Sequence, residues 1–406
     1  MPHVIFVAPF FQEATLRFLR GAAELEGIRL SLITQEAAEK VPPPVAARLG
    51  AHWRIADGLD PEQISGAVRA LAARHGPPTR IFGALEQLQV PLAQVREALG
   101  IPGMGVEAAR NFRDKSRMKS LLESAGVPCA RHRLIARREE ALAFVDQIGF
   151  PVVVKPPAGA GARNTFRLDR GDDLREYLDI YPPDAGHPTL FEEFVTGREH
   201  SFDSICIQGR PVWHSISRYF PTPLEVMETP WIQWVVVLPR EIDGPEFADI
   251  REAALRTLEI LGIGTGLSHL EWFRRPDGGL AISEVAARPP GAQFTTLISY
   301  AHDLDFYRAW PRLMATDVFV PPAREYAAGA AFLRGQGQGR VRAIHGLEAA
   351  QREIGSVVVE ARLPREGQAS SGTYEGDGYV IVRHPDTAVV EHALARVVSL
   401  IRVELA

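Results

Sequence analysis

The stretch Ser268-His269-Leu270-Glu271-Trp272-Phe273-Arg274-Arg275-Pro276-Asp277-Gly278-Gly279-Leu280-Ala281-Ile282-Ser283-Glu284-Val285 reads as two strands joined by a turn. Strand-like runs flank a Pro-Asp-Gly-Gly segment, a hairpin signal because Asp and Gly tolerate the backbone angles of a tight turn. A ladder centred between Asp277 and Gly278 sets Glu271 directly opposite Glu284. Two carboxylates facing across a strand pair repel, and a cation between them turns that penalty into a binding site. Mg²⁺ characteristically takes one or two carboxylates and fills its shell with nucleotide phosphates and water. Pro276, which has no N–H, leaves a longer loop with the same centre open. The plain alternative is a pair of exposed glutamates on an ordinary hairpin.

Four residues beyond Glu284 stands Arg288, before Pro289-Pro290-Gly291. An arginine there brings a planar, permanently charged fork to metal-bound phosphates; otherwise it is a surface residue before a turn. Upstream, Phe150-Pro151-Val152-Val153-Val154-Lys155 is followed by Ala158-Gly159-Ala160-Gly161. A lysine ending an apolar strand wants an anionic partner, and small residues after it let backbone N–H groups approach phosphate oxygens. This is not a Walker A loop, because the lysine precedes the glycines. Between these features lies Glu192-Glu193-Phe194-Val195-Thr196-Gly197-Arg198-Glu199. Its carboxylates suit an adenine amino group and ribose hydroxyls, with backbone groups at Phe194 and Val195 reading the ring edge; an exposed acidic strand end is the alternative. Residues 217–235, with Arg218, Tyr219, Trp231 and Trp234, either line a substrate pocket or belong to the core. His269 either faces the site or is simply packed.

With 406 residues the chain exceeds one compact core, so several units are expected. A net charge of −5 without a basic run argues against nucleic acid as partner. Apolar runs are strand-sized, well short of the roughly 20 residues of a membrane span. The two cysteines, Cys129 and Cys206, make no disulfide framework or zinc motif. With no basic leader before the first strand, a cytoplasmic location is expected.

Residues 1–103 alternate strand signals (4–7, 30–33) with helix signals (16–25, 61–74), the pattern of a small Rossmann-like α/β unit with a parallel sheet. The turn after the first strand, Ala8-Pro9-Phe10-Phe11-Gln12, lacks G-x-G-x-x-G, which disfavours a dehydrogenase. Residues 100–103 look like a linker. Helices are expected over 114–122, 139–148 and 245–261, strands over 134–136, 150–155, 357–361 and 378–383, and a closing helix over 387–402.

Taken together and in this order, these segments resemble the ATP-grasp superfamily, over roughly residues 100–291, and most of all the bacterial L-amino acid (dipeptide) ligases. The resemblance implies an α/β and α+β architecture: a Rossmann-like pre-ATP-grasp domain (1–103), small lobe (104–195), large lobe (196–327) and C-terminal α/β unit (328–406). It implies that Lys115, in Asp114-Lys115-Ser116, and Lys155 contact ATP phosphates, and that residues 158–162, including Gly159, Ala160 and Gly161, cover them. Glu192, Glu193, Phe194 and Val195 would hold adenine, and Glu199 the ribose. Glu271 and Glu284 would bind Mg²⁺, with Mn²⁺ an alternative, and Arg288 would be catalytic. Many members read Glu-x-Asn-x-Arg where this chain has Ala286, which puts a second metal ion in question. The implied activity is ADP-forming ligation of a small carboxylate to an amine through an acyl phosphate, by a protein free of membrane and nucleic-acid partners; a homodimer stays open. A carboxylate–thiol ligase, a biotin-carboxylase-like enzyme and a nucleotide-binding regulatory protein without turnover are the alternatives.

Overall fold

The computed structural model describes residues 1–159, 164–229 and 232–406. Ala160 and Gly161, with the rest of the 160–163 segment, and Trp231 lie outside the described residues. His3–Val7, Arg29–Thr34, Ala51–Arg54 and Pro78–Phe82 form a parallel sheet with His3–Val7 between Arg29–Thr34 and Pro78–Phe82. Every residue of His3–Val7 is buried, as in a strand covered by helices on both faces. Helix Glu13–Ala23 crosses helix Phe306–Thr316 at Gly21, where a Cβ would stand 2.1 Å from the Tyr307 carbonyl oxygen. Only glycine allows that approach.

A second sheet is antiparallel, in the order His132–Ile135, Thr189–Glu193, Val152–Lys155, Phe166–Leu168. The largest runs Leu280–Ala286, Gly266–Arg274, Arg198–Ile207, Arg210–Phe220, Trp234–Leu238, Ala327–Leu333, Gly378–His384, Val358–Arg362. Its last three strands come from the region expected as a C-terminal unit, and they extend the same sheet through the pairing of Ala327–Leu333 with Trp234–Leu238. Helix Lys115–Ser124, expected with the small lobe, packs on this larger sheet: Met118 and Leu122 share a core with Ile250, Leu258 and Trp272. The closing helix is shorter than expected. It spans Thr387–Leu400, and Arg402–Leu405 is a strand because Val403 and Leu405 are buried while Arg402 points outward, a period of two. No helix among the described residues is long and apolar enough to cross a membrane.

The hairpin pairs Glu271 with Glu284, but not through a regular ladder. The rungs Trp272↔Ile282, Phe273↔Ala281 and Arg274↔Leu280 centre on Asp277, not between Asp277 and Gly278. One extra residue, Ser283, then bulges out and restores the register that sets the two glutamates face to face. Bulges of this kind re-aim side chains beside functional sites.

Candidate active site

A cavity of about 480 Å³ opens between the small antiparallel sheet and the eight-stranded sheet. It is lined by Lys115, Lys155, Gly159, Glu192, Glu193, Phe194, Val195, Glu199, Glu271, Glu284 and Arg288, all expected in the site, but not by Ala158. Tyr219, Trp234 and His269 line it too.

The lysines are placed by local structure. Asp114 caps helix Lys115–Ser124 by accepting from the Ser116 and Arg117 amides. That sets Lys115 in the first turn, where its backbone N–H donates to Pro157 O (2.9 Å) and its Nζ to Gly159 O (3.2 Å). The same Nζ lies 2.9 Å from Glu284 Oε1. Lys155, at the end of its strand, is 3.0 Å from Glu192 Oε2, and fully buried Lys119 is 3.5 Å from Glu192 Oε1. Burial alone would push Glu192 up, but the two lysines hold its carboxyl below the usual range. The neighbouring Glu193, facing the other way along the strand, is clamped by Arg131 (2.6 Å) and Arg275 (2.7 Å). The Phe194 N–H donates to Pro151 O (3.1 Å), which commits that donor.

Three carboxylates crowd the other wall. Burial, then the Glu271 charge, pushes Glu199 well above the usual carboxylate range. Glu284 moves down instead, because Lys115 and Lys155 outweigh its burial. Burial would likewise lower His269, yet Asp203 Oδ1 at 2.7 Å from Nδ1, with Glu271 3.6 Å from Nε2, raises it to about 9. The Tyr219 hydroxyl lies 3.5 Å from the same Nε2. Among the described residues no three His, Cys, Asp or Glu side chains form a metal cage. Two facing glutamates beside a phosphate-sized cationic wall instead suit a divalent ion that takes its remaining ligands from phosphate and water. Ala286, buried opposite His269 in the same ladder, adds no ligand.

Arg288 is held from outside the two sheets that form the cavity. Its Nε donates to Glu86 Oε2 (2.7 Å) and its Nη1 to Pro289 O (2.9 Å). Glu86 follows strand Pro78–Phe82 of the parallel sheet, and its other oxygen is 3.8 Å from Arg113 Nη1. Arg113 in turn donates to Gly159 O (2.9 Å). Sequence reasoning missed Glu86, Arg113, Lys119, Asp203 and Tyr374, the last lining the cavity edge-on to Trp234. Two carried a signal. Lys119 stands one helical turn from Lys115, and Glu86 follows the carboxyl end of a parallel strand, where ligands gather.

Residues 120–302 match the ATP-grasp domain. An L-arginine-specific L-amino acid ligase from Bacillus subtilis is 26% identical over 292 residues, 70% of this chain and 68% of that protein. Alanine–anticapsin ligase from Bacillus subtilis strain 168 is 28% identical over 236 residues, 53% of this chain and 49% of that one. The chain thus matches about two thirds of the first relative and about half of the second. The crystal structure of an L-amino acid ligase from Bacillus licheniformis superposes with a TM-score of 0.78 at 19% identity, covering 100% of this chain and 99% of that one.

Proposed function

We propose, from the premise that residues 120–302 are an ATP-grasp domain, that this chain is an ADP-forming carboxylate–amine ligase joining amino acids or related small acids. The observation that carries the reading is the pairing of Glu271 with Glu284 in a cavity that also holds Lys115, Lys155 and Arg288. Lys115 and Lys155 bind phosphate oxygens of ATP, and Arg288 neutralises charge growing on the transferred phosphoryl group. The substrate carboxylate attacks the γ-phosphorus, the bond to the ADP oxygen breaks, and an acyl phosphate forms. An amine then attacks the acyl carbon, phosphate leaves, and an amide results. Mg²⁺, or Mn²⁺ in its place, would be held by Glu271 and Glu284 and would supply charge neutralisation at the phosphates. Glu192, Glu193 and the backbone at Phe194 and Val195 serve the adenine end, with Glu193 Oε atoms and Phe194 N–H already committed to protein partners. Glu199 serves the ribose. Lys115 and Arg113 both donate to Gly159 O, which ties a residue of the phosphate-covering segment to the phosphate-binding lysine.

The test is a screen of Mg-ATP with pairs of amino acids that reads ADP, phosphate and product mass. ADP and an amide product are expected. AMP with pyrophosphate would overturn the acyl-phosphate mechanism, and tight ATP binding without turnover on any pair would favour a regulatory nucleotide-binding protein.

A further inference from the structure

The hairpin that carries Glu271 and Glu284 presents four side chains on one face. Residues two apart on a strand share a face, so His269 stands beside Glu271 and Ala286 beside Glu284. The ladder pairs His269 with Ala286 and Glu271 with Glu284. All four line the catalytic cavity. Three corners of this square carry metal-binding atoms, and Ala286 carries none. His269 is 8% exposed. Its Nδ1 lies 2.7 Å from Asp203 Oδ1, which turns Nε2 towards Glu271. Among the described residues Nε2 meets only Glu271 Oε1 at 3.6 Å and the Tyr219 hydroxyl at 3.5 Å, both too long for a good hydrogen bond. Two donors about 2.1 Å from one ion stand about 3.0 Å apart in an octahedron and about 3.4 Å apart in a tetrahedron. One dication therefore fits between Nε2 and Glu271 after a small adjustment. A carboxylate behind the imidazole is the arrangement that fixes the ring of a metal-ligating histidine and raises its basicity. Asp203 is itself fully buried and is held by the Ser201 hydroxyl at 3.1 Å.

We infer that His269 Nε2 and Glu271 hold a second divalent ion, beside the one shared by Glu271 and Glu284, and that this position selects a transition-metal dication over Mg²⁺. Imidazole nitrogen suits the later first-row metals, whereas Mg²⁺ takes oxygen. Ala286, at the corner facing His269, adds no oxygen ligand that would favour Mg²⁺ there. Only two protein donors converge, so phosphate oxygens and water complete the shell. The assignment rests on the ligase reading for those phosphates alone.

The probe is Co²⁺, titrated into the full chain with and without ADP. Equilibrium dialysis counts the bound metal, and proton NMR reads the nitrogen ligand. Two ions per chain are expected with ADP, together with a Co²⁺-shifted imidazole N–H signal that vanishes in heavy water, because the ligated ring keeps its Nδ1 proton on Asp203. His269→Asn keeps an N–H for Asp203 but removes Nε2, so it should bind one ion fewer and lose the signal. Asp203→Asn frees the ring and should weaken the second ion about tenfold to a hundredfold. Adding Ala286→Asn to His269→Asn should restore the second ion, now with Mg²⁺ preferred over Co²⁺. One ion per chain in both the parent and His269→Asn overturns the assignment. So does a Co²⁺-loaded parent chain without the shifted signal, which would leave His269 as an ion-pair partner of Glu271. The NMR signature needs no variant, so it decides the matter even if His269→Asn fails to fold. Failure of ADP to bind, with the shifted signal present, would fault the ligase reading and not this one.

Discussion

Glu86→Gln tests whether the first unit of the chain contributes to the chemistry or merely leans against it. The Glu86 carboxylate lies 2.7 Å from Arg288 Nε, with the two side chains 9% and 19% exposed. Gln keeps the size and an acceptor oxygen but removes the charge. The loss is then the difference between a charge-assisted and a neutral hydrogen bond, about 1 to 2 kcal/mol. On the proposed mechanism Arg288 acts on the phosphoryl group in flight, so the cost falls on the transition state, and kcat should drop about fivefold to thirtyfold. Glu86 does not line the catalytic cavity, so the KM for ATP should hold. Glu86→Ala leaves Arg288 unpaired and should cost more, about 2 to 5 kcal/mol, part of it in thermal stability; Glu86→Asp should restore much of the activity. Steady-state ADP release with varied ATP separates the cases. A higher KM for ATP with kcat intact, or neither parameter changed, would refute the positioning role.

Glu284→Gln should lower turnover by about a hundredfold or more with unchanged circular dichroism, and near-normal activity would remove Glu284 from the site. Asp114→Ala loses an acceptor for two helix amides and should cost about 1 kcal/mol in urea unfolding, with a raised KM for ATP as Lys115 loosens. Gly21→Ala forces a methyl against the Tyr307 carbonyl and should destabilise by about 1 to 3 kcal/mol, read as a lower urea midpoint. Burial holds His200 and His302 down at about 4, below their ordinary 6.5. Between those values the unfolded chain binds more protons, so the contribution of these two histidines to stability falls as pH drops from 6.5 towards 4 and is level above that window. The loss is up to about 3 kcal/mol per histidine, and urea midpoints independent of pH across the window would contradict it.

Much of the site was legible because its parts are local in sequence. The hairpin carries both glutamates within fourteen residues of one another, and its turn residues announce themselves; Lys155 and Glu192 close strands whose apolar runs are plain. The bulge at Ser283 was not legible, since nothing in Ile282-Ser283-Glu284 distinguishes a bulged residue from a paired one before the partner strand is known. Contacts between distant segments were equally out of reach. Glu86 and Arg288 are 202 residues apart, and Asp203 and His269 are 66 apart; only the fold brings them together. Helix Lys115–Ser124 illustrates the same limit, because its apolar face would suit either lobe and the larger sheet takes it. The C-terminal strand escaped because Ile401 and Leu405 also continue the helical spacing of Val390, Leu394 and Val397.

The measurement that bears most directly on the central claim uses an amino acid whose carboxylate carries heavy oxygen, incubated with Mg-ATP, the chain and an amine acceptor. Attack of that carboxylate on the γ-phosphorus predicts one heavy oxygen in the released phosphate, ADP as the nucleotide product and an amide of the expected mass. Heavy oxygen appearing in AMP, or phosphate free of label while amide forms, would contradict the acyl phosphate and with it the roles given to Lys115, Lys155, Glu271, Glu284 and Arg288.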